Sequence, residues 1–188
     1  MQIAISDSCS LKFCRDIKEH WERKGHEVRY EMGGSENLAQ WADLYYIDWW
    51  DNNINYLFSW YKEHPEAKKP KFCVRVIDWD VWIRGIRSQE MVDFVDYFIC
   101  IAPHIKKQLD QETDDITQLP IDWRSKLYLI RPGVNLEKFT LKTRKTDGFQ
   151  VGMVLGDMWW YKNHMGGLDI FTSLADRGIE GMLVHTKA

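Results

Sequence analysis

The amino-acid sequence predicts an α/β protein with a doubly wound parallel sheet, followed by the beginning of a second unit of the same kind. Three observations support this prediction. Short apolar, strand-like runs alternate with helix-periodic segments over residues 1–133, which is typical of a parallel sheet covered by helices on both faces. A Pro-Gly turn and a polar, basic stretch then interrupt the alternation. Finally, the strand–helix–strand pattern restarts near residue 149.

The first half of this region contains three predicted strands joined by two helices. The strands are expected at residues 3–7, 26–32 and 43–48. The segment after the first strand carries apolar residues at helical spacing: Leu11, Cys14, Ile17 and Trp21. Gly25 is well placed to end that helix, and Gly33 with Gly34 turns the chain after the second strand. The second helix is short and is expected at residues 36–42.

The second half adds three more strands and three more helices. The strands are predicted at residues 70–78, 97–102 and 127–133, and the helices at residues 52–66, 88–96 and 103–112. Prolines mark several boundaries, because proline is tolerated in the first turn of a helix but not in its interior. Pro65 lies near the end of one helix, Pro70 just precedes a strand, and Pro103 opens the last helix.

The domain boundaries follow from where the pattern stops and restarts. Residues 1–135 form the first predicted domain, residues 136–148 a polar, basic linker, and residues 149–188 the start of a second domain. About forty residues bury too little apolar surface to fold alone. Such a unit either packs onto the first domain or is the opening of a domain whose remainder is missing. Because the strand–helix pattern restarts, we expect the chain to be the N-terminal part of a larger protein.

Composition excludes several classes of protein and site. The apolar fraction of 45% is ordinary for a globular protein, and the net charge of −3 gives no strong nucleic-acid signal. No run reaches the length of a membrane span, and the first ten residues lack the pattern of a signal peptide, so we expect a cytoplasmic protein. The four cysteines form no C-x-x-C pair, which argues against disulfides and structural zinc.

Tryptophans cluster after the predicted strands. Six of the ten follow strand ends beside aspartates: Trp49, Trp50, Trp79, Trp82, Trp159 and Trp160. Ligands of open parallel sheets bind beyond the C-terminal ends of the strands. Aromatic faces beside carboxylates suit a sugar, which has an apolar C–H face and many hydroxyls. The candidate acceptor- or sugar-binding residues are Asp7, Trp49, Trp50, Trp79 and Trp159. The alternative is that these tryptophans only fill gaps between strands and helices.

A second site element follows the restarted strand, in the segment "VLGDMWWYKNHMGG". Gly152 and Gly156 allow close backbone approach, the next helix offers free N–H groups at its start, and Lys162 adds a positive charge. These features suit a phosphate. The segment is neither G-x-G-x-x-G nor a P-loop, and a simple strand–helix turn with a solvated lysine remains the alternative.

Three segments together carry a resemblance to a known family. They are "YFICIAPHIKKQL", "LYLIRPGVNLEKF" and "FQVGMVLGDMWWYKNHMGGLDIF". In order and spacing they resemble the GT-B glycosyltransferases, especially those of family 4. The second segment is similar to the connector between the two Rossmann-like domains of that family, with Pro132, Gly133, Val134 and Phe139 matching. The third is similar to the opening of the donor domain, and the first to the fifth strand and following helix.

This resemblance implies a metal-independent hexosyl- or pentosyltransferase without a cofactor. Its N-terminal domain would bind a glycan, lipid or other hydroxyl acceptor, and its C-terminal domain a nucleotide-sugar donor. In the donor segment Gly156, Lys162 and Asn163 match the family, so these residues would bind the donor phosphates. Asp157 stands where the family has an arginine. The family's E-x7-E pair would lie beyond residue 188, so this chain alone is expected to be inactive.

The loop after the fourth strand supplies the candidate catalytic residues. Asp78 and Asp80 are candidates for hydrogen bonding or deprotonating the acceptor hydroxyl. Capping of a helix or turn is an equally weighted alternative.

The sequence is also compatible with two other functions. The first is a non-catalytic α/β module that binds a sugar or nucleotide. The second is a phosphoacceptor regulator, since Asp7 and Asp48 end the first and third strands. That class needs a second acidic residue and a lysine where Ser6 and Ala102 stand.

Overall fold

A computed structural model describes most of the chain. The described residues are 1–8, 11, 13–50, 52–77, 80, 88–123, 125–133, 151–155, 164–178 and 181–185. The chain forms two compact units, Met1–Lys138 and Phe139–Ala188.

The first unit is built on a parallel sheet flanked by helices. Its described strands are β1 (Gln2–Asp7), β2 (Glu27–Met32), β3 (Leu44–Asp48), β4 (Lys71–Val76), β5 (Tyr97–Cys100) and β6 (Leu127–Leu129). Its described helices are α1 (Arg15–Arg23), α2 (Glu36–Trp41), α3 (Asn52–Glu63), α4 (Gln89–Phe94) and α5 (Pro103–Leu109). All pairings within this sheet are parallel. The predicted Rossmann-like α/β fold class is confirmed.

The strand order contains a topological switch point, the place where ligands of open parallel sheets usually bind. The strands lie in the order β2-β1-β3-β4-β5-β6. The order therefore reverses between β1 and β3, and such a topological switch point opens a crevice beyond the C-terminal strand ends. In the register, Asp7 pairs with Asp48 and Asp48 pairs with Arg75. Residues paired across adjacent strands point to the same face of the sheet. The side chains of these three residues therefore lie side by side on one face, near the C-terminal ends of their strands.

The two faces of the sheet are covered unequally. One face packs against α2, α3, α4 and α5, which contribute buried side chains such as Leu38, Ile54, Val92 and Ile105. The opposite face has a smaller cluster around Ile3, Ile5 and Tyr46, and α1 packs on it. On that face, beyond α1, Tyr97 and Tyr128 remain 41% and 46% exposed.

The second unit repeats the strand–helix–strand pattern. Strands β7 (Val151–Leu155) and β8 (Gly181–His185) pair in parallel, with α6 (His164–Asp176) between them in the chain. The residue Gly178 after α6 has φ of 72°, a left-handed conformation that glycine adopts at low cost. The predicted restart of the pattern is confirmed, whereas the donor-domain role of this unit remains a prediction.

Two simpler expectations concern cysteines and membranes. Cys14, Cys73 and Cys100 are buried free thiols. Cys73 lies in β4 and Cys100 in β5, where a reduced cysteine acts as a small apolar side chain. Among the helices in the described part of the chain, none combines the length and the apolar character needed to cross a membrane.

Candidate functional site

A buried ion pair lies at the switch point. The Asp48 carboxylate is fully buried at the end of β3. Arg75 approaches it from β4: its Nε contacts Asp48 Oδ1, and its Nη2 donates to Asp48 Oδ2 at 2.7 Å. The Tyr46 hydroxyl also donates to Asp48 Oδ1 at 3.3 Å. Burial raises the pKa of Asp48, while Arg75 and these hydrogen bonds favour its ionised form.

Asp7 and Cys14 extend this ion pair into a polar network. Asp7 is buried, and the Tyr30 hydroxyl donates to its Oδ1 at 3.0 Å. Asp7, Cys14 and Asp48 each offer one atom within 4.8 Å of the others, a grouping that could hold a metal ion. Burial, with the nearby Asp48 and Asp7 charges, raises the pKa of the Cys14 thiol. The thiol is therefore neutral and hydrogen-bonds to Asp48, while Arg75 supplies the compensating cation.

Trp49 follows β3 and adds an aromatic ring beside the C-terminal ends of the strands. Its φ of 84° is left-handed, which is costly for a side chain of this size. The Trp49 amide donates to the Arg75 carbonyl at 3.0 Å and so helps to hold this conformation. The Phe13 ring lies 6.0 Å from the Trp49 ring and is 52% exposed. The structure therefore places a partly exposed aromatic pair next to buried carboxylates, as the sequence predicts for Trp49. Sugar binding by this pair remains a prediction.

Trp50 does not fit the predicted sugar-binding role. Its side chain is only 4% exposed, and its ring lies 5.8 Å from the Phe98 ring inside the core. A sugar needs an accessible aromatic face, and a side chain this deeply buried offers none. The gap-filling alternative therefore describes Trp50, because the chain turns inward directly after Trp49.

Asp80 likewise has a structural role. It is fully buried, and its Oδ2 accepts hydrogen bonds from the backbone N–H groups of Trp50 at 3.0 Å and Ile77 at 3.1 Å. The carboxylate thus joins the turns that follow β3 and β4. This is the capping alternative raised by the sequence, and the burial does not agree with the prediction that Asp80 deprotonates an acceptor.

The other predicted site residues lie outside the described residues. They are Asp78, Trp79, Gly156, Trp159, Lys162 and Asn163. Their assignments stay predictions, as do the absence of a cofactor and the identity of the acceptor.

Arg75 and a neighbouring groove are features that the sequence prediction missed. A groove of about 530 Å³ lies on the α1 face of the sheet, and Tyr46, Cys73, Arg75 and Ile99 contribute to its lining. A charged residue inside the apolar run "KFCVRVID" was the available signal. A charge in a buried strand needs a partner, and Asp48 ends the strand predicted just before it.

Comparison with known proteins supports the fold. No protein-family model matches the chain, and no curated protein matches it. A solved structure of an alpha-glucosyltransferase in complex with UDP is similar, with a TM-score of 0.58 and 14% identity over 100% of this chain and 59% of that chain. A response regulator from Burkholderia pseudomallei with a phosphorylated aspartic acid, calcium ion and citrate gives a TM-score of only 0.39 at 12% identity, over 95% of this chain and 86% of that one.

The glucosyltransferase comparison shows the fold of this chain and no more at this identity. The chain has a Rossmann-like α/β fold similar to that of the UDP-bound alpha-glucosyltransferase, and it spans about three fifths of that neighbour's length. The finer assignment to family 4 stays a prediction from the three sequence segments.

Proposed function

We propose that this chain belongs to a glycosyltransferase that transfers a sugar from a nucleotide-sugar to an acceptor hydroxyl. The observation that supports this best is the similarity of the whole chain to a UDP-bound alpha-glucosyltransferase. The sequence resemblance to GT-B enzymes points independently to the same class, because its three segments occur in the expected order.

In this proposal the first unit binds the acceptor. The Trp49 and Phe13 rings offer the apolar face for the acceptor. The Asp7 carboxylate lies at the same strand edge but is only 2% exposed, so its burial does not agree with the predicted contact to the acceptor. Asp78 is the remaining candidate for the base that removes the acceptor proton. As the hydroxyl oxygen bonds to the anomeric carbon, the bond between that carbon and the diphosphate oxygen breaks. The electron pair leaves with the diphosphate, and the proton passes to the base.

The second unit binds the donor in the same proposal. Lys162 balances charge on the departing diphosphate, and the backbone around Gly156 and Asn163 lies close to the phosphates. Stabilising the leaving group electrostatically requires neither a metal ion nor a cofactor. The proposed location of the enzyme is the cytoplasm.

Calorimetric titration of UDP tests the donor site, in this chain joined to a complete donor domain, because the family's E-x7-E pair is expected beyond residue 188. Lys162→Ala should weaken UDP binding about ten- to a hundredfold, the range expected for a hydrogen bond between charged groups. Lys107→Ala removes an exposed lysine from α5 and should leave UDP binding unchanged. Equal binding by Lys162→Ala and the wild type would contradict the phosphate assignment. Absence of UDP and nucleotide-sugar binding to the wild type would overturn the donor site.

Turnover separates the enzyme from the non-catalytic binding module. The measurement is UDP release from UDP-glucose by this chain joined to a complete donor domain, because the chain alone is expected to be inactive, in the presence of a panel of hydroxyl acceptors. Release that depends on an acceptor supports transfer, whereas tight nucleotide-sugar binding with no release favours the module.

A further inference from the structure

The groove of about 530 Å³ is open because α1 covers only part of one sheet face. Tyr46, Cys73 and Ile99 contribute to its floor, while Ile17 and Trp21 of α1 form one wall. The segment after β6, from Ile130 to Gly133, forms the other side. Parallel sheets are normally buried on both faces, so apolar surface that no described helix of the first unit covers is unusual.

The lining of the groove suits a flat apolar body. The Trp21 ring lies edge-on to the Tyr46 ring at 5.8 Å, with 78° between the planes. Ile99 and Ile101 add aliphatic surface, and Ile130 is 53% exposed. Clefts of several hundred Å³ that are lined mainly by apolar and aromatic side chains are the usual sites of small organic ligands.

The charges around the groove are predominantly positive. Arg23, Arg131 and Arg75 line it together with His20, whereas Asp16 is the acidic residue in the lining. Asp16 already has a partner, and Arg75 is paired with Asp48. Neither Arg23 nor Arg131 forms an ion pair with any of the described residues.

This arrangement contrasts with the chain as a whole, whose net charge is −3. Two guanidinium groups free of carboxylate partners among the described residues create a local positive potential beside an apolar floor. Such a potential favours an anion over a neutral ligand of the same shape.

We propose that this groove binds an organic anion with a flat apolar body and a phosphate or carboxylate head. The body packs between Trp21 and Ile99, and the head lies toward Arg23 and Arg131. This proposal goes beyond the transferase reaction and does not depend on it, because every residue used belongs to the first unit and none is assigned to the donor.

Two fluorescent probes of nearly identical shape test the proposal. Anilinonaphthalene sulfonate is anionic, while phenylnaphthylamine has the same aromatic body without the charge. The full chain should bind the sulfonate more tightly. Arg23→Ala and Arg131→Ala should each weaken sulfonate binding about two- to fivefold, as expected for exposed ion pairs, with little effect on the neutral probe.

Arg15→Ala is the matched control. Arg15 is an exposed arginine of α1 that does not line the groove, so its loss should leave both affinities unchanged. Unchanged urea midpoints and near-ultraviolet circular dichroism establish that the variants are folded. Equal sulfonate affinity for the wild type and both groove variants would place the probe elsewhere and overturn the proposal.

Competition then distinguishes the two kinds of head group. Naphthyl phosphate, naphthoate and naphthol share one ring system and differ in charge. Displacement of the sulfonate probe by naphthyl phosphate alone assigns a phosphate head, and displacement by naphthoate as well assigns a general anion site. Displacement by naphthol equal to that by the anions would overturn the proposal. So would a doubled molecular mass with no probe binding, because a second copy of the chain would then cover the groove.

Discussion

Removing Arg75 tests whether the folded state depends on the buried ion pair between Arg75 and Asp48. In Arg75→Met, the methionine keeps much of the aliphatic volume but leaves the fully buried Asp48 carboxylate without its cation. Breaking a buried pair in this way costs about 3–5 kcal/mol, because an uncompensated charge stays in an apolar environment. Since the Arg75 side chain is 17% exposed, water can partly replace it, and we expect about 3 kcal/mol.

Urea unfolding followed by tryptophan fluorescence measures this change. With a slope of about 2 kcal/mol per molar urea, the midpoint should fall by about 1.5 M. Lys106→Met is the control, since it removes a partly exposed pair with Asp110 at 3.0 Å. That variant should lose about 0.3–0.5 kcal/mol.

The pH dependence of Arg75→Met follows from the pKa of Asp48. Burial already raises this pKa in the folded protein, and loss of the guanidinium raises it further. The folded variant then binds a proton that the unfolded chain releases, so its stability should rise as the pH falls from neutral towards about 4. Adding Asp48→Leu to Arg75→Met should recover stability, because both charges are gone. A midpoint shift no larger than that of Lys106→Met, with no gain on acidification, would refute this reasoning.

Three further outcomes can be checked with simple measurements. Gly34→Ala should lower the free energy of unfolding by about 1–3 kcal/mol, because a Cβ there would lie 3.3 Å from the Asn53 carbonyl oxygen and from Leu57. Gly133→Ala is the control: its Cβ would meet nothing within 4 Å, so the free energy of unfolding should not change. Asp114 accepts hydrogen bonds from the backbone N–H groups of Gln89, Ile116 and Thr117, which lower its pKa to about 2. The contribution of this carboxylate to stability is therefore lost as the pH falls from about 4 towards 2. Asp114→Asn should flatten that part of the acid-unfolding curve, and an unchanged slope would contradict this role. Burial raises the pKa of Cys100 to about 11. In a Cys9→Ser/Cys73→Ser variant, which also removes the thiol on the groove floor, Ellman's reagent at mildly alkaline pH should label Cys14 and Cys100 only at the rate of unfolding, and rapid labelling of the native protein would show that they are accessible.

The sequence predicted the elements of the fold well, because apolar periodicity and the positions of glycine and proline act locally. Pro103 begins α5, and the turn after β2 uses Gly33 with φ of 87°. The strand order was not predictable in the same way, since it depends on which distant segments pair. The order in turn determines that Asp7, Asp48 and Arg75 meet at one edge.

The candidate site was predicted only in part, because one residue type has different roles in different environments. Trp49 and Trp50 are neighbours in sequence, yet one lies at the edge beside Phe13 and the other packs in the core. The left-handed backbone at Trp49 separates them, and local composition gives no sign of it. Asp80 binds two backbone amides for a similar reason, since only the folded turns bring those amides together.

Asp7, Asp48 and Arg75 lie in a row across three adjacent strands. This row of charged side chains also makes an incorrect strand register costly during folding. Partners in a parallel sheet are far apart in the chain, so no tight hairpin sets how they line up. Sliding β4 by one position against β3 would turn Arg75 towards the apolar side formed by residues such as Val74 and leave Asp48 facing hydrocarbon. A charge pair that adds little net stability can thus select one alignment of the central strands from several that would bury similar apolar area.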